Sequence, residues 1–536
     1  MVARMVIIGF DDTKIDHDSS ITKDLQNYNL GGVILFDVNY QDRSKQKNIQ
    51  TPKQLQTLTK TLQSYAKAPL FIAIDQEGGR VARLKKRYGF TNVAPSAKEV
   101  AKLPLDTVVN IYENQAKMLE TNGINLNFAP VVDLCSNPNN PVIAKLERCY
   151  SNDPQIVSRY AAAMIDAHNK HHVISVLKHF PGHGSSKSDS HKGFVDISDT
   201  WDKKELKPYK SLIAQNKADM IMSAHVFNKH LDPTYPATLS YKINTKLLRE
   251  KLQFRGVLVS DDMQMKAIAN HYTLTQALTL AINSGVDMVI FGNQLEHTPT
   301  QKIIDTIFTQ VKNGAIPLKR IQEANERIEA LHTKNSIVQK PIIFKQERIE
   351  MSKAYIKKHY GLDVEDITIK PRMIVLHWTA VSDLNGSFER LYPQKLLSDR
   401  KDIAKASALN VSAHFLIDRD GTIYQLMDDN FMARHVIGLN YYAIGVENVG
   451  GKDNKEEDLT PKQVAANVKL VRYLKHKYPA INYLIGHHEY RNFENTPLWL
   501  ERDAGYRTKK ADPGAKFMHE VRSQLRDLDL KSRYEQ

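Results

Sequence analysis

Four stretches in the first half of the 536-residue chain gather side chains that move protons, carry charge or attack carbon. They read Ile74-Asp75-Gln76-Glu77-Gly78-Gly79-Arg80-Val81, Lys178-His179-Phe180-Pro181-Gly182-His183-Gly184, Asp189-Ser190-His191 and Val259-Ser260-Asp261-Asp262-Met263. Carboxylates, a lysine and arginines lining one cleft suit a polyhydroxylated, partly anionic ligand. Taken singly, each acid is explained as well by a helix cap or a salt bridge. The glycine-rich segment reads equally as a surface loop whose imidazoles cap backbone groups, but that leaves the Asp-Ser-His placement unexplained. A second constellation lies further on, with His377 in Leu376-His377-Trp378-Thr379, His487 in Gly486-His487-His488-Glu489 and Asp512 in Lys510-Ala511-Asp512-Pro513-Gly514. Two imidazoles and one carboxylate leave a fourth tetrahedral position for water, the composition of a catalytic rather than a structural zinc site. Zinc there would lower the pKa of that water towards ~7 and polarise a carbonyl. Alone, His377 reads as a core histidine on a buried strand and Asp-Pro-Gly as a turn, so the combination carries the reading.

Elements of the right kind exist to position both sets. Through residue 335, short apolar β-rich runs alternate with stretches of helical period. Eight runs are counted, at 5–10, 33–36, 70–75, 124–130, 173–180, 220–226, 256–261 and 288–292. Between them lie helical faces such as Leu55, Leu58 and Leu62, which follow Pro52 at a first turn. Eight βα units predict a (β/α)8 barrel, whose chemistry sits at the C-terminal strand ends, where Asp75, Lys178, His179, Asp261 and Asp262 fall. A doubly wound sheet is the competing layout, but no glycine-rich phosphate turn follows the first strand. The last barrel helix carries Ile321, Ala324, Ile328 and Leu331, and residues 336–354 then lose helical period, which predicts a linker. From 355 to 536 the pattern is that of a smaller mixed α/β domain, with apolar runs at 373–378, 414–417, 444–449 and 483–487 and a helix at 462–477 introduced by Thr460 and Pro461.

Composition narrows the partners. Lys plus Arg number 74 against 60 Asp plus Glu, a net charge of +14 that favours an anionic partner such as nucleic acid, a lipid surface or a polyanionic wall polymer. The cations are scattered (Lys85, Lys86, Arg87; Lys207, Lys210; Lys509, Lys510) rather than interleaved with aromatics in a stripe, so a nucleic-acid groove is the weaker reading. No apolar run approaches the ~18 to 20 residues of a membrane span. The two cysteines, Cys135 and Cys149, exclude a disulfide scaffold and a cysteine-rich zinc site and allow one bridge at most. Met1 stands almost directly at the first strand, with no signal-peptide pattern before it. Barrels of this kind usually have a helix leading into that strand, so the expectation is a chain that begins after a removed targeting segment, which favours the cell envelope; a cytoplasmic protein that starts there is the alternative.

The ordered set IDQEGGRV, KHFPGHG, DSH and SDDM resembles glycoside hydrolase family 3, in its bacterial β-N-acetylglucosaminidase (NagZ-type) branch, across about the first 335 residues. The resemblance implies Asp261 as nucleophile, forming a covalent glycosyl-enzyme with net retention, and His191 as acid/base with Asp189 holding its imidazole. A histidine departs from the two-carboxylate glycosidase template, and because it is not anionic it leaves phosphorolysis open beside hydrolysis. Sugar recognition carries over to Asp75, Arg83, Arg148, Lys178 and His179, with Asp262 behind the nucleophile and Asn293 as a further contact; the barrel needs no cofactor.

Residues 370–520 resemble the zinc-dependent N-acetylmuramoyl-L-alanine amidases of the type-2 amidase and peptidoglycan-recognition superfamily, through His377, His487, Asp512, Ser412-Ala413-His414-Phe415-Leu416-Ile417, Asp420-Gly421 and Ile444-Gly445-Val446-Glu447-Asn448. By matching position Glu447 is the general base or water-orienting residue and Lys510 stabilises the oxyanion. Ala413 stands where phage lysozyme relatives carry tyrosine, and with Glu447 this points to the AmpD/AmiD-like branch. His414 and His435 line the cleft or pack, and His488 faces solvent or supports the ligands. Together the two resemblances imply a bifunctional enzyme acting on peptidoglycan fragments. The alternatives are a glycosidase or phosphorylase tethered by a non-catalytic peptidoglycan-binding domain, and a barrel acting on other sugars.

Overall fold

The computed structural model describes residues 1–455 and 457–535, in two compact units, Met1–Asn335 and Ser336–Gln536. In the first, eight parallel strands close into a barrel in chain order: β1 (Val6–Gly9), β2 (Gly32–Leu35), β3 (Phe71–Ile74), β4 (Leu126–Asn127), β5 (Ile174–Phe180), β6 (Met220–Ser223), β7 (Val257–Asp262) and β8 (Met288–Phe291). β1 pairs with both β2 and β8, which closes the ring and removes every sheet edge.

The helices that cover this barrel begin and end as their sequences direct. Pro52–Tyr65 starts at Thr51, whose side chain accepts from Gln54 N at 3.2 Å, and buries Leu55, Leu58 and Leu62 on one face. Leu274–Ser284 carries a capping box between Thr273 and Gln276 and stops at Gly285, whose φ of 115° suits a residue without Cβ. Leu318–Ser336 buries Ile321, Ala324, Ile328 and Leu331. With helices outside and packed side chains inside, every barrel-strand residue is buried except the last two of β7, Asp261 and Asp262. The register shifts between Leu177 and Phe180 on β5 and between Val259 and Asp262 on β7. Both irregularities sit at C-terminal strand ends, where bulges re-aim side chains.

The second unit is a six-stranded mixed sheet in the order β14-β10-β13-β11-β12-β9, with β9 (Val338–Gln339), β10 (Met373–Trp378), β11 (Phe415–Ile417), β12 (Ile423–Gln425), β13 (Ala443–Asn448) and β14 (Tyr483–Gly486). Pro461–Lys477 packs Val464, Leu470, Val471 and Leu474 inward behind a Thr460–Gln463 capping box. Residues 336–354, expected as a linker, are instead part of this unit. Val338 and Gln339 pair in parallel with Tyr424 and Gln425, and Gln346–Tyr355 is a helix whose Tyr355 joins a core with Met373 and Val375. The loss of simple periodicity reflects a two-residue edge strand and a helix with Arg348 buried among its inward residues, neither of which leaves an amphipathic stripe. Among the described residues no helix is long and apolar enough to cross a membrane.

Just before β8, at the N-terminal end of the barrel, the fully buried Asp287 receives Arg249 at 2.6 Å, Arg327 at 3.0 Å and Arg320. Burial opposes its charge, but the three guanidiniums prevail and bring the carboxyl down to about 2. Asp287→Asn strands three half-buried cations, and chemical denaturation should show the barrel destabilised by about 3–5 kcal/mol at neutral pH. Because the folded carboxyl titrates lower than the unfolded one, that contribution is complete above the ordinary carboxylate pKa and is lost as pH falls. The difference between wild type and variant should therefore shrink between about pH 4 and about pH 2.

Candidate active sites

At the barrel's C-terminal mouth, the groups on and after β3 and β5 form one alternating chain of charge. The Lys178 ammonium donates to Asp75 Oδ1 at 2.8 Å and stands 2.7 Å from Glu77 Oε1. Arg83 reaches the other Asp75 oxygen at 3.2 Å. Arg148 grips Glu77 with two parallel bonds, Nε to Oε2 at 2.8 Å and Nη2 to Oε1 at 2.7 Å. The same Nη2 lies 3.3 Å from His179 Nε2. A guanidinium only donates, so Nε2 accepts and Nδ1 carries the proton, which it gives to Asp133 Oδ2 at 2.6 Å. Burial works against charge on Asp75, but Lys178 and Arg83 hold its carboxyl well below the usual range, and Arg148 and Lys178 do the same for Glu77.

Asp261, at the end of β7, faces histidines. Burial opposes its charge, yet His225, His179 and His191 hold the carboxyl below its ordinary value, so it is ionised near neutral pH. Asp262 accepts from Gln264 N at 3.0 Å and is pushed by burial up to about 6. His225 donates from Nε2 to the Asp262 carbonyl at 2.9 Å and bonds the Thr238 hydroxyl through Nδ1 at 2.8 Å. On the loop after β5, Asp189 Oδ1 accepts from both His191 Nδ1 at 2.8 Å and His191 N at 2.9 Å, which leaves Nε2 for a ligand. Burial disfavours the imidazolium, but the bond to Asp189 and the charges of Asp261 and Asp189 raise its pKa above the ordinary value.

The structure thus joins Asp75, Arg83, Arg148, Lys178 and His179 in one cluster and puts Asp261 within electrostatic reach of His179 and His191. Asn293 is different from the contact expected of it. Its Nδ2 donates to Gly9 O at 2.9 Å and its Oδ1 accepts from Gln264 Nε2 and Thr298 N at 3.0 Å each, so its amide knits loops together. Sequence reasoning passed over Glu77, Asp133 and His225. Glu77 lay inside the quoted Asp-Gln-Glu segment, and Asp133 and His225 lay just past the fourth and sixth strands, where position alone was the signal.

In the second unit His377 ends β10, His487 follows β14 and Asp512 lies on a later loop, and all three are buried. His377 Nδ1 is 2.9 Å from His487 Nδ1 and 3.2 Å from Asp512 Oδ2, and His487 Nδ1 is 3.0 Å from that same oxygen. Ligand atoms around tetrahedral zinc, each about 2.0–2.1 Å from the metal, stand about 3.3 Å apart, so this donor set fits the ion. The tautomers agree. His435 Nε2 donates to Ala443 O at 3.3 Å, so its Nδ1, 3.0 Å from His377 Nε2, accepts, and His377 Nδ1 is left as a lone pair facing His487 Nδ1 and Asp512 Oδ2. His488 Nδ1 donates to the Asp512 carbonyl at 2.9 Å, which is the second of the two places, solvent or support, that the sequence left open for it. His414 is a strut instead, with Nε2 donating to Phe431 O at 2.7 Å and Nδ1 accepting from Gly445 N at 2.9 Å. Glu447 stands directly opposite His377 in the β10–β13 register, on the same face. Its Oε2 is buried with no partner among the described residues, and burial raises the carboxyl to about 7. Lys510 lines a cavity together with His435 and His487.

Residues 2–331 match the family model described as glycosyl hydrolase family 3 N terminal domain, and residues 368–515 match that described as N-acetylmuramoyl-L-alanine amidase. The chain belongs to glycosyl hydrolase family 3, and its barrel is followed by a domain that matches the N-acetylmuramoyl-L-alanine amidase model. A beta-hexosaminidase A from Pseudoalteromonas piscicida is 35% identical over 335 residues, 58% of this chain and 54% of the relative. A beta-hexosaminidase from Tolumonas auensis is 37% identical over 274 residues, 50% of this chain and 77% of the relative. The chain thus spans about half the length of the first curated relative and three quarters of the second. In fold, the barrel is similar to the crystal structure of a beta-N-acetylhexosaminidase from Beutenbergia cavernae, with a TM-score of 0.55 at 23% identity, covering 62% of this chain and 97% of that one.

A disulfide between Cys135 and Cys149, 14 residues apart, closes the loop that carries Arg148 and packs against Val131, Val142 and Ile143. Replacing both cysteines by serine frees that loop in the unfolded chain, and denaturant unfolding should show the barrel less stable by about 3 kcal/mol.

Proposed function

We propose that the chain is a bifunctional peptidoglycan-processing enzyme. The barrel removes a terminal N-acetylglucosamine from GlcNAc-(anhydro)MurNAc muropeptides, and the second unit hydrolyses the amide between the muramic lactyl group and L-alanine. One observation carries this reading: one chain matches both glycosyl hydrolase family 3, with beta-hexosaminidases among its relatives, and an N-acetylmuramoyl-L-alanine amidase model, and the bonds that two such activities would cut are neighbours in one polymer. The net charge of +14 suits anionic fragments of that polymer.

In the barrel, Asp75, Arg83, Lys178, Arg148 and His179 bind the sugar's hydroxyls and N-acetyl-bearing ring. The Asp261 carboxylate attacks the anomeric carbon while His191 Nε2–H protonates the departing glycosidic oxygen, giving a covalent glycosyl-enzyme. His191, now neutral, takes a proton from water as the water's oxygen displaces Asp261, so the configuration is retained. Asp189 keeps the His191 proton on Nδ1 between these steps, and His225 steadies the end of β7 through the Asp262 carbonyl. In the second unit His377, His487 and Asp512 would hold zinc, which when bound supplies Lewis-acid polarisation of the scissile carbonyl and of the attacking water. Glu447 takes that water's proton and delivers it to the leaving amine, and Lys510 faces the oxyanion.

Mass spectrometry of GlcNAc-anhydroMurNAc-tripeptide incubated with the full chain tests the whole. Loss of GlcNAc with and without a zinc chelator, and of peptide only without it, is expected. Amide cleavage that survives exhaustive chelation sinks the zinc mechanism, and loss of GlcNAc alone reduces the second unit to a binding module or to an amidase demanding a larger, wall-like substrate. Release of GlcNAc-1-phosphate in phosphate buffer replaces hydrolysis by phosphorolysis. Asp261→Asn should lower release from a chromogenic GlcNAc glycoside by at least about 10³-fold, and normal release would refute the nucleophile.

The raised His191 pKa gives a second test. Cleavage needs the protonated ring, so kcat/KM should fall as pH rises through a value above His191's ordinary 6.5. Asp189→Asn removes the charge that holds the proton, so the alkaline limb should move to lower pH; a limb that stays put shows that another group titrates.

A further inference from the structure

The second unit holds a buried positive charge that its own fold does not neutralise. Arg434 is 2% exposed, and among the described residues no carboxylate lies within salt-bridge distance of it. Its Nη1 donates to the carbonyls of Ser407, at 3.2 Å, and Leu409, and its Nη2 to the Ile403 carbonyl and the Tyr506 hydroxyl, both at 3.0 Å. All four acceptors are neutral, and the remaining donor, Nε, is buried with no partner among the described residues. Fully sequestered arginines are rarely without an anion, because desolvation is offset only by an opposite charge or a complete set of hydrogen bonds.

What adjoins Arg434 is a cavity of about 50 Å³ lined also by Arg400, Thr508, Lys510, Tyr355 and His487. By a measure in which one water needs about 10–15 Å³, that is room for a carboxyl-sized group and not for a sugar ring. Thr508 adds a second unsatisfied group, a buried hydroxyl without a partner among the described residues. Arg400 already holds Asp402 through Nε at 3.2 Å and Nη2 at 3.3 Å, so of the two arginines at the cavity it is Arg434 whose charge is uncompensated. The cavity borders the metal-ligand residues directly, since His487 lines it, and so does His435, the neighbour of Arg434 that bonds His377 at 3.0 Å. One wall comes from outside the residues that match the amidase family, 368–515: Tyr355 ends the helix Gln346–Tyr355, and the Arg434 guanidinium stands 5.4 Å from its ring.

We infer that this cavity is an anchor for a carboxylate of the substrate, the first free carboxylate of the peptide on the leaving-amine side of the scissile amide, held by Arg434 Nε–H and the Thr508 hydroxyl. The inference rests on the amidase reading above. It makes the second unit selective for peptides bearing an acid, rather than its carboxamide, close to the cleaved bond. Arg434 and Thr508 are specificity-determining residues in this scheme and take no part in bond cleavage.

The test uses the zinc-loaded full chain with two pairs of probes that differ only in –CO2⁻ against –CONH2. These are N-acetylmuramoyl-L-alanyl-D-isoglutamate and -isoglutamine for kcat/KM, and the corresponding free dipeptides for Kd by calorimetry. The acid is expected to be favoured about tenfold or more in both measurements. Arg434→Gln should bring acid and amide within about threefold of one another while leaving the values for the amide within about threefold of wild type. Arg434 also braces the backbone at 403–409, so Thr508→Val, which keeps side-chain shape and removes only the hydroxyl, is measured beside it and should narrow the preference in the same direction. Equal cleavage of both muramyl peptides overturns the anchor and leaves the amidase reading standing, as does a preference unchanged in folded Arg434→Gln and Thr508→Val. Acid-selective binding without any cleavage upholds the anchor and sinks the amidase reading. Neither binding nor cleavage of any probe overturns both.

Discussion

The barrel's mouth is governed by the need to pair charges that have been taken out of water. Lys178 and Asp133 are almost wholly sequestered, and the line Arg83, Asp75, Lys178, Glu77, Arg148, His179, Asp133 alternates sign or hydrogen-bonding role at each step, so every member is neutralised by its neighbours. Removing one member would leave the next buried and uncompensated, which makes the line rigid as a unit. It also divides the labour. Groups inside the line are fixed by one another, whereas Asp261 and His191 stand outside it, as the proposed exchange of bonds and protons requires.

The second unit applies the same rule and leaves different groups unsatisfied. The relay from Ala443 through His435 to His377 uses up protons in one direction and leaves His377 Nδ1 as a lone pair facing His487 Nδ1 and Asp512 Oδ2. The three atoms lie within 3.2 Å of one another, a spacing that a shared cation would satisfy. Glu447 Oε2, Arg434 Nε and the Thr508 hydroxyl are among the buried polar groups of this unit that have no partner among the described residues. The partners proposed for these groups are a metal ion, a proton donor and an anion.

Backbone irregularity places these groups. The shifts in register on β5 and β7 fall where Lys178, His179, Asp261 and Asp262 lie, so residues that strict alternation would turn into the barrel wall are aimed at its mouth. The opposite end of the barrel is held by Asp287 and three arginines, a cluster that serves closure alone.

The sequence by itself determined the eight βα units, because a barrel strand buried on both sides is a continuous apolar run and the helices between are amphipathic. It also determined the pools of reactive residues, through local order in segments such as Asp189-Ser190-His191 and through the types of His377, His487 and Asp512. Tertiary structure alone decided which of them touch. Asp75 meets Lys178 across 103 positions and His377 meets Asp512 across 135, separations that no local pattern encodes. It decided that 336–354 is not a connector, because an edge strand of two residues gains its stability from β12 rather than from its own periodicity. It decided also that Asn293 and His414 are struts, since a polar side chain's role follows from whether the fold has already supplied its partners, and those partners come from distant strands and loops.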